Sequence, residues 1–290
     1  MPKRESNVVD REFGNGLRAA NAKTGLTQRQ LAEELDWDES KLSDLVNGKG
    51  GVTAHEVEVL LAYCRLSLAE RRHLMALFLE AGEKGFILFP EDGVPDQLRT
   101  LINHEKESSA IVAWSMNLVS GLLQTHDYAY AVAQAGPHEK EDVPKVVAAR
   151  MARAEILRPG RTFTFYVHQQ ALLLPVGGEE VWREQLAHLL RMSVRQYINF
   201  HVIPRSIGAH PGVSGDFRVM KFPKYPPLVF LDTLNCGLFF DDKETVALYE
   251  DRVKRLAAVA LDREQSRAVI DDIWRASNDR LAQEQLQQHR

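Results

Sequence analysis

Cysteine is nearly absent from this sequence: of 290 residues only Cys64 and Cys236 carry a thiol. Neither belongs to a C-x-x-C pair or has a histidine at zinc-ligand spacing. That excludes a disulfide framework and a cysteine-based zinc site, and leaves two reduced, buried thiols as the expectation. Long apolar runs are also missing. No segment approaches the roughly 18 apolar residues of a membrane span, and the opening "MPKRESNVVDREF" lacks a signal-peptide core, so a cytoplasmic protein with no membrane partner is expected. Positive charge is not in excess: the formal net charge is −4 and the pI is near 6.2. Any affinity for a polyanion must therefore come from a local arrangement of side chains. Catalytic signatures are lacking as well, with no G-x-x-x-x-G-K-[ST] and no H-E-x-x-H. His210 and Asp216 share one glycine-rich loop, but Ser206 and Ser214 have no nucleophile-elbow context. Neither an enzyme nor a cofactor is expected.

What is present is an ordinary globular composition, 44% hydrophobic and 26% charged, over a length that suits two domains. From Asp10 to Gly82 apolar residues recur at helical spacing, broken by "KTG", "LDW", "NGKGG" and "CRLS", which predicts about five short helices. Thr27 and Thr53 are suited to cap helix starts; Gly25 and Gly48 suit helix ends. The stretch "GEKGFILFPEDGVPDQ" marks a boundary, giving residues 1–84 as a first domain, 85–97 as a linker and 98–290 as a second domain. A second helical block runs through "LRTLINHEKESSAIVAWSMN", "HDYAYAVAQA" and "VPKVVAARMARAEIL". The texture then turns to strands at "TFTFYVHQQAL", "INFHVIP", "FRVMKF", "PLVFLDTL" and "GLFFDD", with one intervening helix and two closing ones. The expected fold is an all-α head on an α+β body with a small antiparallel sheet.

The stretch "LTQRQLAEELDWDESKLSDLVNGK", Leu26 to Lys49, has the offsets of a helix-turn-helix. Leu31 and Leu35 line the inner face of the first helix and Ala32 is the small crossing residue. Asp36 stands where the turn needs a left-handed backbone, a conformation Asp tolerates better than most residues. Trp37 plugs the turn, Asp38 is placed to cap the next helix, and Leu42 and Leu45 point inward. Glu39, Ser40, Lys41, Ser43, Asp44 and Asn47 are left outward.

With its flanking helices, "TQRQLAEEL" and "SKLSDLVNGK" resemble the lambda-repressor-like, or Xre-type, DNA-binding domain over Phe13 to Leu79. The resemblance implies that Gln28 touches a phosphate, with Arg29 beside it, and that Glu39, Ser40, Ser43 and Asp44 face base edges. Lys41, Asn47 and Lys49 would lie near the DNA backbone. Many relatives carry Arg or Gln where Asp44 stands; a carboxylate can only accept, for example from cytosine N4, and repels phosphate. Arg18, Lys23, Arg29, Lys41 and Lys49 could ring the groove-facing end or be a solvated face. A head this acidic predicts modest non-specific affinity and a need for dimerisation on a double-stranded operator.

The second domain carries Glu105, Trp114, "SGLLQTHDYA", "PVGG", "QLAHLL" and "IGAHPG" in an order that resembles Scr1-type antitoxin-like regulators of actinobacteria with a DUF5753 domain, over Leu98 to Trp274. Ser120 replaces a usual Pro, and His168 and Gln169 replace a common acidic pair. The resemblance implies a transcription regulator, often encoded beside a small partner protein, in which that partner or an unknown small-molecule effector acts through the body. Glu105, Trp114, Gln124, Thr125, Tyr128 and His210 are the candidate ligand or partner contacts. Read as residues alone, "GLLQTHDY" is either a helix corner, with Thr125 capping and Tyr128 packed inward, or a groove offering Gln124, Thr125 and Tyr128. Glu105 and Arg150 either pair inside the domain or are exposed. His168, His188 and His201 read as packing or surface residues. The expected function is a sequence-specific DNA-binding regulator acting as a homodimer. The alternative is an antitoxin-like protein-binding module with weak or conditional DNA binding.

Overall fold

The computed structural model describes residues 7–80, 86–88, 96–137, 139–233 and 236–288. Two compact units are present: residues 1–86 with 239–242, and residues 87–238 with 243–290. Most of the segment expected as a linker lies outside the described residues.

The first unit contains α1 (Val8–Thr24), α2 (Gln28–Glu34), α3 (Glu39–Val46), α4 (Ala54–Tyr63) and α5 (Leu68–Glu80). Each break between them has a local cause. Thr27 accepts from the Gln30 N–H at 3.2 Å while the Gln30 side chain accepts from the Thr27 N–H at 2.9 Å, and Thr53 and Glu56 repeat this reciprocal cap. Asp36 holds φ at 54°, the left-handed turn its position demanded. Asp38 departs from expectation: its side chain makes no cap hydrogen bond, and the Lys41 and Leu42 N–H groups reach its main-chain oxygen at 2.9 and 3.3 Å. Leu31, Ala32, Leu42 and Leu45 are buried, and Phe13 meets Phe78 at 5.6 Å between ring centroids. Helix α1 approaches α3 so closely at Gly14 that a Cβ there would stand 2.1 Å from the Val46 carbonyl oxygen.

The four residues 239–242 complete this unit. The Asp241 carboxylate accepts from the Val8 N–H at 2.7 Å, at the start of α1, and pairs with buried Arg11 at 3.3 Å. Burial pushes the Asp241 carboxyl above its ordinary range even though the Arg11 charge opposes this.

The second unit is built on α6 (Asp96–Glu107), β2 (Ala110–Ser115), α7 (His126–Ala135), α8 (Val143–Arg153), β3 (Thr162–His168), α9 (Gln169–Leu173), α10 (Glu179–Ser193), β4 (Ile198–Ile203), β5 (Phe217–Lys221), β6 (Leu228–Asp232), the first half of β7 (Gly237–Phe240), α11 (Lys243–Val259) and α12 (Arg263–Gln288). With β1 (Phe86–Leu88), the strands lie in the order β1-β7-β6-β5-β2-β3-β4. The sheet is mixed, and larger than the small antiparallel one expected. Strand β2 runs parallel to β3 and antiparallel to β5, β3 is parallel to β4, and β5 is antiparallel to β6. Parallel neighbours need long crossovers, and the chain supplies them as α7 and α8 between β2 and β3 and as α9 and α10 between β3 and β4.

Two segments differ from the sequence reading. "AIVAWS", expected within a helical block, is β2, with Ile111, Ala113 and Trp114 buried; its β-branched and aromatic residues suit an interior strand. The strand expected through "TFTFYVHQQAL" ends at His168, and Gln169–Leu173 forms α9. Against the sheet, α12 packs on α10 and β4, and a cluster of Ala129, Ala133, Val143, Val146 and Val147 joins α7 to α8. Among the described residues no helix is long and apolar enough to cross a membrane.

Candidate functional site

In the head, α2 packs on α3, Ala32 of α2 is buried, and Asp36 takes a left-handed backbone in the turn between them. Glu39 and Ser40 stand exposed at the start of α3; Asn47 and Lys49 are exposed at its end. Lys41, Ser43 and Asp44 are half-buried, as is Gln28 at the start of α2. The cations around this face are engaged within the protein. Lys23 meets Glu70, Arg29 meets Glu33 at 3.1 Å, Lys41 meets Glu56, and Lys49 meets Asp44 at 3.4 Å. Lys41 also lies 4.6 Å from the Trp37 ring centroid. Arg18 instead donates to Asn15 at 2.6 Å and to Asn47 at 3.3 Å, and Asn47 donates onward to the Ser43 carbonyl at 2.8 Å. The Lys41 ammonium and the Thr53 N–H hold the Glu56 carboxyl down at about 2, and Lys23 and Ser67 do the same for Glu70. The face is therefore laced with neutral pairs.

In the body, Glu105 is fully buried and binds Arg153 through two parallel hydrogen bonds of 2.8 and 2.7 Å. Arg153 is 4% exposed, and Arg218 brings Nη1 to 3.7 Å from the same carboxylate. Sequence reasoning pointed to Arg150, one helical turn earlier; Arg150 is half-buried, and burial and then the Arg153 charge push its guanidinium down. Trp114, on β2, donates from its indole N–H to the Gly212 carbonyl at 2.9 Å. His210 lies edge-on to that indole at 5.1 Å and stacks on His168 at 5.1 Å. The corner residues are engaged with backbone. Gln124 donates to the Val119 carbonyl at 2.8 Å, the Tyr128 hydroxyl accepts from the Val119 N–H at 3.2 Å, and the Thr125 N–H donates to Gln185 at 2.7 Å. Thr125 also caps α7, so the helix-corner reading of "GLLQTHDY" is the one this geometry builds.

The family described as a domain of unknown function, DUF5753, matches residues 98–272, which is more than half of the chain. The chain belongs to the DUF5753 family. A family described as a helix-turn-helix domain matches residues 12–74, and it supports a DNA-binding regulator. No curated protein matches the chain.

Of the six candidate contacts in the DUF5753 body, Trp114 and His210 are brought together. Glu105 is sealed into the arginine cluster, and Gln124, Thr125 and Tyr128 form the corner. His210 and Asp216, one loop apart in sequence, serve different partners: Asp216 accepts from the Met116 N–H at 2.8 Å. Missed in the sequence were Arg153 and Arg218. A charged residue inside "FRVMKF", an otherwise apolar strand, was the available signal. Among the described residues no group of three or more His, Cys, Asp or Glu side chains could hold a metal ion.

The stacked histidines give a pH prediction. Burial, and for His168 the neighbouring His210, push both imidazoles below their usual range. A histidine with a folded-state pKa below its unfolded value stabilises the fold above the unfolded value, about 6.5, and that contribution is lost as pH falls toward the folded one. The body's unfolding midpoint, followed by tryptophan fluorescence, is expected to fall by about 2–5 °C more between pH 7 and pH 5 in the parent protein than in His168→Gln. Equal pH dependence of the two would show that the stacked pair does not titrate with unfolding.

Proposed function

We propose that the protein binds an operator as a homodimer, each head placing α3 in a major groove, and that the DUF5753 body carries the dimer contact and couples an effector or small partner protein to DNA affinity. No catalysis and no cofactor enter this reading. The observation that carries it is the geometry of α2 and α3: two short helices packed together with Ala32 buried, a left-handed Asp36 in the turn between them, and an α3 whose first residues, Glu39 and Ser40, are exposed. Glu39, Ser40, Ser43 and Asp44 take the base edges, Gln28 and Arg29 the phosphates, and Lys41, Asn47 and Lys49 the flanking backbone. Two-fold pairing follows because one small head buries too little surface for tight binding.

The test is fluorescence-anisotropy binding to the DNA upstream of the protein's own coding region, against scrambled DNA, over a salt series. Because Lys23, Lys41 and Lys49 are already paired, few counterions are released, and a slope of log affinity on log salt of about −2 to −4 is expected. Gln28→Ala weakens all DNA alike, whereas Ser40→Ala or Asp44→Ala changes the preferred sequence. Glu56→Gln releases Lys41 and steepens the slope by about 0.9. Equal losses on every sequence from Gln28, Ser40 and Asp44 variants would remove the assigned roles.

The paired state of Lys23, Arg29, Lys41 and Lys49 favours a second reading, an antitoxin-like module that acts through its body and binds DNA conditionally. Absence of specific DNA binding in every condition, with tight binding of a small protein encoded alongside, selects it.

A further inference from the structure

A cavity of about 400 Å³ opens on the DUF5753 body between β2, β5 and β6, lined among others by Trp114, Ser115, Asp216, Arg218, Phe230 and Asp232. Its volume is at the lower end of the range for small-molecule sites. Its wall sets two exposed carboxylates, Asp216 and Asp232, beside the half-buried guanidinium of Arg218. Arg218 lies against the Phe230 ring at 5.5 Å and makes no hydrogen bond among the described residues. Its nearest counter-charge, Glu105, is 3.7 Å away and already grips Arg153 with both oxygens. Asp232 makes neither a hydrogen bond nor an ion pair among the described residues. Asp216 uses one oxygen on the Met116 N–H and leaves the other open. Burial pushes the Asp216 carboxyl up; the Met116 N–H and the Arg218 charge oppose this, and the Asp232 charge adds to it.

We propose that this cavity binds a small zwitterion of the α-amino-acid type, with its carboxylate on Arg218, its ammonium between Asp216 and Asp232, and its side chain toward Phe230, which shares a sheet face with Arg218. A plain anion would meet two carboxylates, and a plain cation would leave the Arg218 donors without an acceptor. Only a ligand carrying both charges answers the whole wall. The inference extends the effector part of the proposed function, and ligand binding is measured without DNA, so either can fail while the other stands.

The experiment is a thermal-shift screen of the full-length protein against the twenty amino acids at millimolar concentration, followed by calorimetric titration. Each binder is compared with its decarboxylated amine and its deaminated acid; for leucine these are 3-methylbutylamine and 4-methylpentanoate. At least one amino acid is expected to raise the midpoint, with both single-charge analogues at least tenfold weaker. Asp232→Asn, a change at an exposed carboxylate, should remove the preference for leucine over 4-methylpentanoate, and Arg218→Gln the preference over 3-methylbutylamine. No shift with any amino acid, analogues that bind as well as the parent, or discrimination unchanged in Asp232→Asn would each overturn the assignment.

Discussion

Glu105→Ala is expected to be the most damaging single change in the body, lowering its stability by about 3–5 kcal/mol and leaving much of it unfolded at 37 °C. The reason is what remains behind. Arg153 is 4% exposed and its two hydrogen bonds end on this carboxylate; Arg218 has its nearest counter-charge there too. Removing the acid strands the Arg153 guanidinium out of water, a far larger loss than the net value of the pair itself. A double change separates the two quantities. Replacing Glu105 and Arg153 together by leucine and methionine takes away the charge and its partner, and should recover most of the loss in a denaturant titration. A double variant as unstable as Glu105→Ala would mean that the ion pair contributes net stability rather than only relieving a buried charge.

The second large effect is expected at Gly14. A methyl group there would stand 2.1 Å from the Val46 carbonyl oxygen, and a backbone carbonyl at a helix end has no rotamer in which to retreat. Helices α1 and α3 must separate by more than an ångström. Gly14→Ala should therefore cost about 2–4 kcal/mol of head stability, despite the better helix propensity of alanine. Since α3 is the element proposed to enter the groove, operator affinity should fall at least tenfold at temperatures where the head is still folded. Gly16→Ala is the control. Its new methyl would meet only the Leu74 side-chain tip, which can rotate away. Equal operator affinity in the two variants would show that α3 is not held by the α1 contact.

The head was legible because its determinants are local. Thr27 and Thr53 announce their helices by chemistry that reaches three residues, and Asp36 by a backbone preference of its own. Gly14 was legible in principle, as a glycine inside a helical pattern marks a close approach. The body was harder for the same physical reason. "AIVAWS" follows a helical run with only Ser108 and Ser109 between, and neither breaks a helix as Gly or Pro would, so β2 was absorbed into the helix before it. Strand order is not local at all: β2 lies between β3 and β5, and nothing in its six residues names those neighbours. Likewise Arg150 and Arg153 both lie on α8, and only the packed structure shows which one reaches Glu105.

The discontinuous make-up of the head also sets a clock. Arg11 and Asp241 are separated by 230 residues, so during synthesis at about 5–20 residues per second the head emerges roughly 10–50 s before its counter-ion exists. Throughout that interval α1 begins without the carboxylate that accepts from Val8. A nascent chain severed before residue 241 carries the complete helix pair of the reader and yet not its finished fold. Completion of the Arg11–Asp241 pair is thereby tied to synthesis of nearly the whole polypeptide.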